Sequence, residues 1–236
     1  AIQKGDTPLK LKSTKNPKLS ISFLTQDSSW INNFLPSLVF ELIQNQHSVT
    51  LSHKSNNLQV GDICFLLGCE EIISLEAKKK FSNVLVVHES DLPAGRGWSP
   101  LTWQVLEGSQ EIIVSLIDAA EKIDQGAIYA QTKIKLNGTE LLDDLRRLQF
   151  VASRRLCMQF ISSFLANSLT PVEQIGSPSY YPRRTAIDSK ISLNTSLKDC
   201  FNLLRVSDKD RYPAWFEHKG RRFKLILETH DEKNNG

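Results

Sequence analysis

Two residues of the sequence have the types and surroundings for proton chemistry, His88 and Asp124. His88 stands where the apolar run V-L-V-V, Val84 to Val87, gives way to the turn-rich E-S-D-L-P-A-G-R-G. An imidazole ionises near neutral pH, so it can give a proton to an oxygen gaining negative charge or take one from a nucleophile. Asp124 lies in I-D-Q-G-A-I-Y, a carboxylate followed by a glycine that permits a tight reversal before another strand-like run. A carboxylate set against an imidazole orients the ring. The sequence therefore predicts that these two polar groups, distant along the chain, meet in one site.

The elements that must carry them follow from periodicity. Val84 to Val87 has the β-branched, unbroken apolar character of a strand buried on both faces of a parallel sheet, and His88 then falls at its carboxyl end, where open α/β sheets place their chemistry. Leu19 to Thr25 predicts a first strand. A helix follows to about Gln46, starting near Asn33 so that Pro36 sits in its first turn, with Phe34, Leu35, Leu38, Val39 and Leu42 as its sheet-covering stripe. Ser48 to Ser52 reads as a second strand, Ser55 to Asp62 as a loop, Ile63 to Leu67 as a third buried strand and Ser74 to Phe81 as a short helix. The progression favours a doubly wound, mostly parallel sheet. No G-x-G-x-x-G follows the first strand, so a dinucleotide fingerprint is absent.

Beyond the central loop, Pro100 to Leu106 predicts a helix, and Ile112 to Ile117 with Ala127 to Leu136 an antiparallel strand pair. Thr139 to Asn167 carries apolar residues every three or four positions, from Leu141 to Phe164, and reads as a packing helix. The stretch Y-Y-P-R-R-T, Tyr180 to Thr185, reads as a crossing loop on the surface. Leu197 to Val206 predicts a helix, and Ala214 to Leu227 a hairpin turning near Lys219 and Gly220. The expected division is a polar arm over residues 1–17, a main α/β unit over 18–188, and a small helix-and-hairpin appendage over 189–236.

Composition narrows the function classes. Net charge is +3, a mild surplus partly gathered at Lys10 to Lys18 and in Arg221, Arg222 and Lys224. That is no dense basic face for nucleic acid, though it suits an anionic small molecule. The four cysteines, Cys64, Cys69, Cys157 and Cys200, form no C-x-x-C pair and have no histidine at zinc-ligand spacing, so no metal centre is expected. No apolar segment approaches the roughly 20 residues that cross a bilayer, and a reduced, cytoplasmic protein is expected. His47, His53, His218 and His230 have no partner pattern and read as surface residues.

The central stretch resembles the signature of the formyltetrahydrofolate-dependent formyltransferases, which looks like Asn-x-His-x-Ser-x-Leu-Pro followed by Arg-Gly. His88, Ser90, Leu92, Pro93, Arg96 and Gly97 are in place, and I-D-Q-G-A-I-Y is similar to the segment that holds the family's catalytic aspartate, matching Asp124. Y-Y-P-R-R-T with Asp188, N-L-L-R-V and Y-P-A-W-F are similar to its later landmarks. The likeness implies a Rossmann-like fold and transfer of a formyl group from formyltetrahydrofolate, without a metal, with His88 and Asp124 catalytic. It further implies folate contacts at Leu67, Gly68, Cys69, Val86, Asp118, Glu121 and Ile123, and acceptor contacts at Ser90, Arg96, Gly97, Trp98 and Tyr181. Val86 departs from the signature: it stands where the family writes Asn, so the amide donor to the formyl oxygen is missing. Ser90 reads as a loop brace rather than a nucleophile, and Trp98, Tyr180 and Tyr181 as base-stacking or loop-anchoring aromatics. The expected acceptor is the amino group of a nucleotide-linked sugar, as only 48 residues (236 minus 188) follow Asp188. A transfer-RNA formyltransferase and a folate binder without catalysis are the alternatives, and a homodimer stays open.

Overall fold

In the computed structural model the described residues are 17–230, so the polar arm expected over 1–17 lies outside them apart from Pro17. In chain order the elements are β1 (Ser20–Leu24), α1 (Leu35–Gln44), β2 (Ser48–Ser52), β3 (Gly61–Leu66), α2 (Leu75–Lys78), β4 (Phe81–His88), β5 (Arg96–Gly97), α3 (Pro100–Leu106), β6 (Glu111–Asp118) and β7 (Ile128–Lys135). They continue with α4 (Leu142–Leu165), β8 (Tyr180–Tyr181), α5 (Leu197–Val206), β9 (Ala214–His218) and β10 (Arg221–Leu225). A six-stranded sheet runs β2-β1-β3-β4-β6-β7. Its first four strands are parallel, while β6 lies antiparallel to β4 and β7 antiparallel to β6.

Alternation along the strands divides the core between the two faces. Ile21, Phe23, Ile63, Phe65, Leu85 and Val87 face α1 and α4, where Leu35, Leu38, Leu42, Leu156 and Phe160 cover them. Phe23 stacks on Phe65 with ring centroids 5.6 Å apart. Side chains of this kind each stabilise by about 1.5–3 kcal/mol when fully buried, so this face anchors the sheet. The opposite face carries Cys64, Leu66 and Val84 against Ile73 and Ala77 of a loop and the one-turn α2. Cover there is thin, and it ends before the carboxyl edge of the strands.

Local signals explain the helix boundaries. Pro36 lies in the first turn of α1, where its missing N–H costs nothing. Ser74 and Ser196 cap α2 and α5 by accepting the N–H groups of Ala77 and Asp199. The stretch read as a loop over Ser55 to Asp62 contains a 3₁₀ turn, Ser55–Asn57, and already begins β3 at Gly61. His47 corrects the surface reading: it is buried, and its Nδ1 accepts the main-chain N–H of Leu19 at 3.2 Å. A chain entering a parallel sheet needs an acceptor for its first N–H, and the residue that supplies it cannot be read from local sequence. His53, His218 and His230 are exposed as expected.

After α4 the chain does not simply cross the surface. Tyr180–Tyr181 pairs in parallel with Arg96–Gly97, making a two-residue clasp over the loop that follows β4. The last elements gather a small apolar cluster of their own, Ile191, Cys200, Leu204 and Ala214, beneath the β9–β10 hairpin.

Candidate active site

The loop after β4 folds back on its own histidine. His88 is buried at the end of β4, and its Nε2 lies 2.8 Å from the carbonyl oxygen of Gly95. A carbonyl only accepts, so Nε2 carries a proton and Nδ1 is the ring atom left for exchange. Nδ1 faces Oδ1 of Asp124 at 3.6 Å, and both side chains are more than nine-tenths buried. That separation exceeds hydrogen-bond length, so neither atom is locked to the other and a substrate atom can engage both.

Asp124 is placed by backbone geometry. It adopts φ +57°, a left-handed conformation that Asp tolerates better than most residues, and its Oδ2 accepts the N–H of Gly97 at 2.9 Å. Two glycines make this possible. A Cβ at Gly126 would come within 1.9 Å of the Asp118 carbonyl oxygen, so the reversal beside β6 admits no side chain. A Cβ at Gly97, where φ is +99°, would come within 2.4 Å of the Tyr181 carbonyl oxygen.

Gln174 ties the His88 and Asp124 loops together. Its Nε2 donates to the carbonyls of Asp124 and Gly126 at 2.8 and 2.9 Å, and its Oε1 accepts from Arg96. Ser115 donates to the Ser90 carbonyl at 2.7 Å, and Ser179 accepts the Gly95 N–H at 2.8 Å. The loop that carries the histidine is therefore fixed from three sides.

His88 and Asp124 open into a cavity of about 390 Å³, within the size range of small-molecule sites. Of the residues named from sequence, Gly68, Cys69, Val86, Gly97, Trp98, Asp118, Glu121 and Ile123 line it with His88 and Asp124. Leu67, Ser90, Arg96 and Tyr181 do not. Leu67 packs into the core beneath the sheet, its N–H bonded to the Leu24 carbonyl. Ser90 is buried with its hydroxyl unpartnered, so its carbonyl, not its side chain, braces the loop. The Arg96 guanidinium turns to Gln174 and Tyr180. Tyr181 stacks on Trp103 with planes 8° apart and donates to Glu107 at 2.9 Å, which makes it a loop anchor. Trp98 keeps one ring face engaged by Arg183, whose guanidinium carbon lies 4.6 Å from the ring centroid.

One part of the cavity is lined by Gly68, Ile73, Val86, Ile117, Ala119 and Ile123, with the carboxylates of Asp118 and Glu121. Apolar walls with a few acceptors suit a flat heterocycle bearing amino groups, as a pterin does. Burial pushes the Cys69 thiol up, so it stands in this wall as a protonated, apolar residue. A second part is walled by Leu142, Leu145, Arg146 and Gln149 of α4, at helical spacing, and by Val206, Asp208, Arg211 and Tyr212. Arg211 and Arg183 also line the cavity as exposed side chains, Arg183 paired with Glu70 at 3.1 Å, whereas Arg184 is buried and donates to Ser189. Arg183, Arg184, Val206 and Tyr212 fall in the later landmarks named from sequence, whereas Arg146, Gln149, Asp208 and Arg211 carried no signal as site residues, because they come from helix turns and a loop outside the motifs. Glu89, also in the wall, follows the signature histidine directly. Burial holds its carboxyl above the usual carboxylate range, against the opposing influence of His88 and of the Gln149 hydrogen bond. Among the described residues no group of three or more metal-ligating side chains occurs, and no helix is long and apolar enough to cross a membrane.

Comparison with known proteins gives the family. Methionyl-tRNA formyltransferase of Thermodesulfovibrio yellowstonii is 30% identical over 143 residues, 59% of this chain and 45% of that protein. The chain thus spans about half the length of the curated relatives it matches. HypX of Aquifex aeolicus, solved with tetrahydrofolic acid, superposes with a TM-score of 0.77 at 19% identity, over 89% of this chain and 38% of that one. A sugar N-formyltransferase from a Shewanella species superposes with a TM-score of 0.64 at 17% identity, over 91% of this chain and 99% of that one. A family model described as formyl transferase matches residues 22–157, which hold both His88 and Asp124 and make up more than half of the 236 residues, and the chain belongs to that family.

Proposed function

We propose that the chain transfers a formyl group from formyltetrahydrofolate to the amino group of a nucleotide-linked amino sugar, in the cytoplasm. The observation that carries this reading is the buried approach of His88 Nδ1 to Asp124 Oδ1 at 3.6 Å, at the wall of a cavity with an apolar part and a cationic part. When bound, the folate supplies the formyl carbon and the departing nitrogen. His88, held through Nε2 by the Gly95 carbonyl, presents Nδ1 to the formyl oxygen as it gains charge. Asp124, held by the Gly97 N–H beside His88, would stabilise that nitrogen on protonation.

The acceptor follows from the cavity's second part. Arg183 and Arg211, both exposed, offer guanidinium groups to phosphate, and Trp98, 37% exposed, offers a stacking surface. The sugar N-formyltransferase with the same fold supports that choice. Formylation of methionyl-tRNA is a second reading, favoured by the 30% identity to that enzyme. Mass spectrometry separates them. Amino-sugar nucleotides and charged initiator transfer RNA are each incubated with protein and formyl donor, and a sugar nucleotide heavier by one formyl group is the expected product. A formylated transfer RNA with unchanged sugar nucleotides selects the second reading.

A further inference from the structure

Glu89 is an ionisable side chain in the wall of the active-site cavity to which the mechanism above gives no task. Continuing the alternation of β4, it leaves the chain on the opposite side from His88, toward α4. Gln149 donates to its Oε1 and is the only side chain hydrogen-bonded to it among the described residues. Gln104 fixes its main-chain carbonyl from α3 at 2.6 Å. The carboxyl is thus held from α4, and its main chain from α3, at the wall of the cavity that His88 and Asp124 also line.

The chemistry of acylating an amine leaves room for such a group. An aliphatic amine reaches the enzyme as R–NH₃⁺, and its nitrogen must lose two protons to end as R–NH–CHO. One of them goes to the departing nitrogen of the donor. The other needs a base before attack, because an ammonium has no lone pair. In the reading above His88 is engaged on the formyl oxygen and Asp124 on the departing nitrogen.

We propose that Glu89 binds the ammonium group of the acceptor and removes the first of its two protons, which rests on the formyl-transfer reading above. The N–H bond breaks, an O–H bond forms on Glu89, and the electron pair stays on nitrogen. The neutral amine then forms the C–N bond to the formyl carbon, the C–N bond to the donor breaks, and the second proton passes to the departing nitrogen. Solvent takes the proton from Glu89 as product leaves. Burial, which favours the protonated carboxyl, suits a group that must hold a proton through the step. Glu89, half-buried in the same wall as His88 and Asp124, and the exposed Arg183 and Arg211 match an acceptor that is cationic at one end and anionic at the other.

The test is steady-state kinetics of the full chain with formyltetrahydrofolate and an amino-sugar nucleotide that the wild type formylates. E89Q keeps the Gln149 contact and removes the base. It should lower kcat/KM for the acceptor about 100-fold at neutral pH, with folate affinity unchanged. Its deficit should shrink as pH rises, since the amine then arrives already neutral, and E89D should fall between the two. His88, Asp124 and, on α4, Arg146 also face this part of the cavity, and their titration is common to both proteins, so the ratio of the two profiles reports Glu89. An E89Q rate within twofold of wild type, or a deficit equal at every pH, overturns the role of Glu89 while wild-type turnover upholds formyl transfer. A wild type that formylates no acceptor overturns both.

Discussion

An imidazole whose Nε2 is committed to a backbone carbonyl has a single nitrogen left for chemistry, and in this chain that nitrogen looks at a carboxylate. Asp124→Asn tests the carboxylate with little else disturbed, because Asn also tolerates a left-handed φ and its carbonyl oxygen can still accept the Gly97 N–H. The expected result is a kcat lowered about 10²- to 10⁴-fold with folate binding and thermal midpoint near wild type. Position 86 offers the reverse experiment. Val86 lines the cavity without an amide, and the cavity-lining side-chain amides among the described residues are Gln26 and Gln149, the latter engaged by Glu89. An oxyanion donor is worth about 2.7–4 kcal/mol in comparable sites, so Val86→Asn should raise kcat where the chain works without one. An unchanged or lower kcat in a folded Val86→Asn protein would show that another group already makes the contact. His88 was legible because an apolar run ends on it, and Asp124 because glycine marks its turn. Glu89 was not, since an acidic residue in a loop is ordinarily solvated and only the packing of α4 reveals otherwise.

At the scale of elements, the loop after β4 depends on a clasp that local sequence conceals. The long strands and α4 announce themselves by period, and their observed bounds differ from the expected ones by a few residues at most. The β5–β8 pair is two residues on each side and joins segments 84 positions apart, as Arg96 and Tyr180 register, so no periodicity can betray it. The same distance explains why Arg96 and Tyr181 read as substrate ligands: their motif is visible, but the partners that consume them, Gln174, Trp103 and Glu107, lie elsewhere. Gly97→Ala should break the clasp, because its Cβ would meet the Tyr181 carbonyl and its φ of +99° suits only glycine. A lowered thermal midpoint together with lost turnover is expected. Tyr181→Phe keeps the stack on Trp103 and gives up one hydrogen bond, so it should cost about 0.5–1.5 kcal/mol by urea denaturation and leave kcat nearly unchanged.

At the scale of the molecule, the last elements complete the cavity and are held by two ion pairs. Val206, Asp208, Arg211 and Tyr212 form part of the cavity wall, so any loosening of α5 from α4 opens the site. Arg146 reaches Asp208 at 2.5 Å, and Arg205, only 2% exposed, reaches Glu140 at 3.4 Å. Burial opposes ionisation of both carboxylates. For Asp208 the N–H groups of Asp210 and Arg211 and the Arg146 guanidinium outweigh it, and for Glu140 the N–H groups of Asn137 and Gly138 and the Arg205 guanidinium do. Both carboxyls are therefore held below the usual range when folded. A carboxylate with a depressed folded pKa contributes stability that is fully present above its unfolded value, about pH 4, and is lost as pH falls through the folded value. The attachment of the final elements should accordingly weaken below about pH 4, with amide exchange in α5 and β9 rising before exchange in β1, β3 and β4. Glu140→Gln isolates the inner pair. It leaves a buried guanidinium without its carboxylate, which should cost about 3 kcal/mol at neutral pH by denaturant titration and remove part of the acid dependence. A cost within experimental error of zero, or an acid profile that overlays the wild type, would mean that apolar contacts of Val206 and Leu204 hold α5 in place without help from the ion pair.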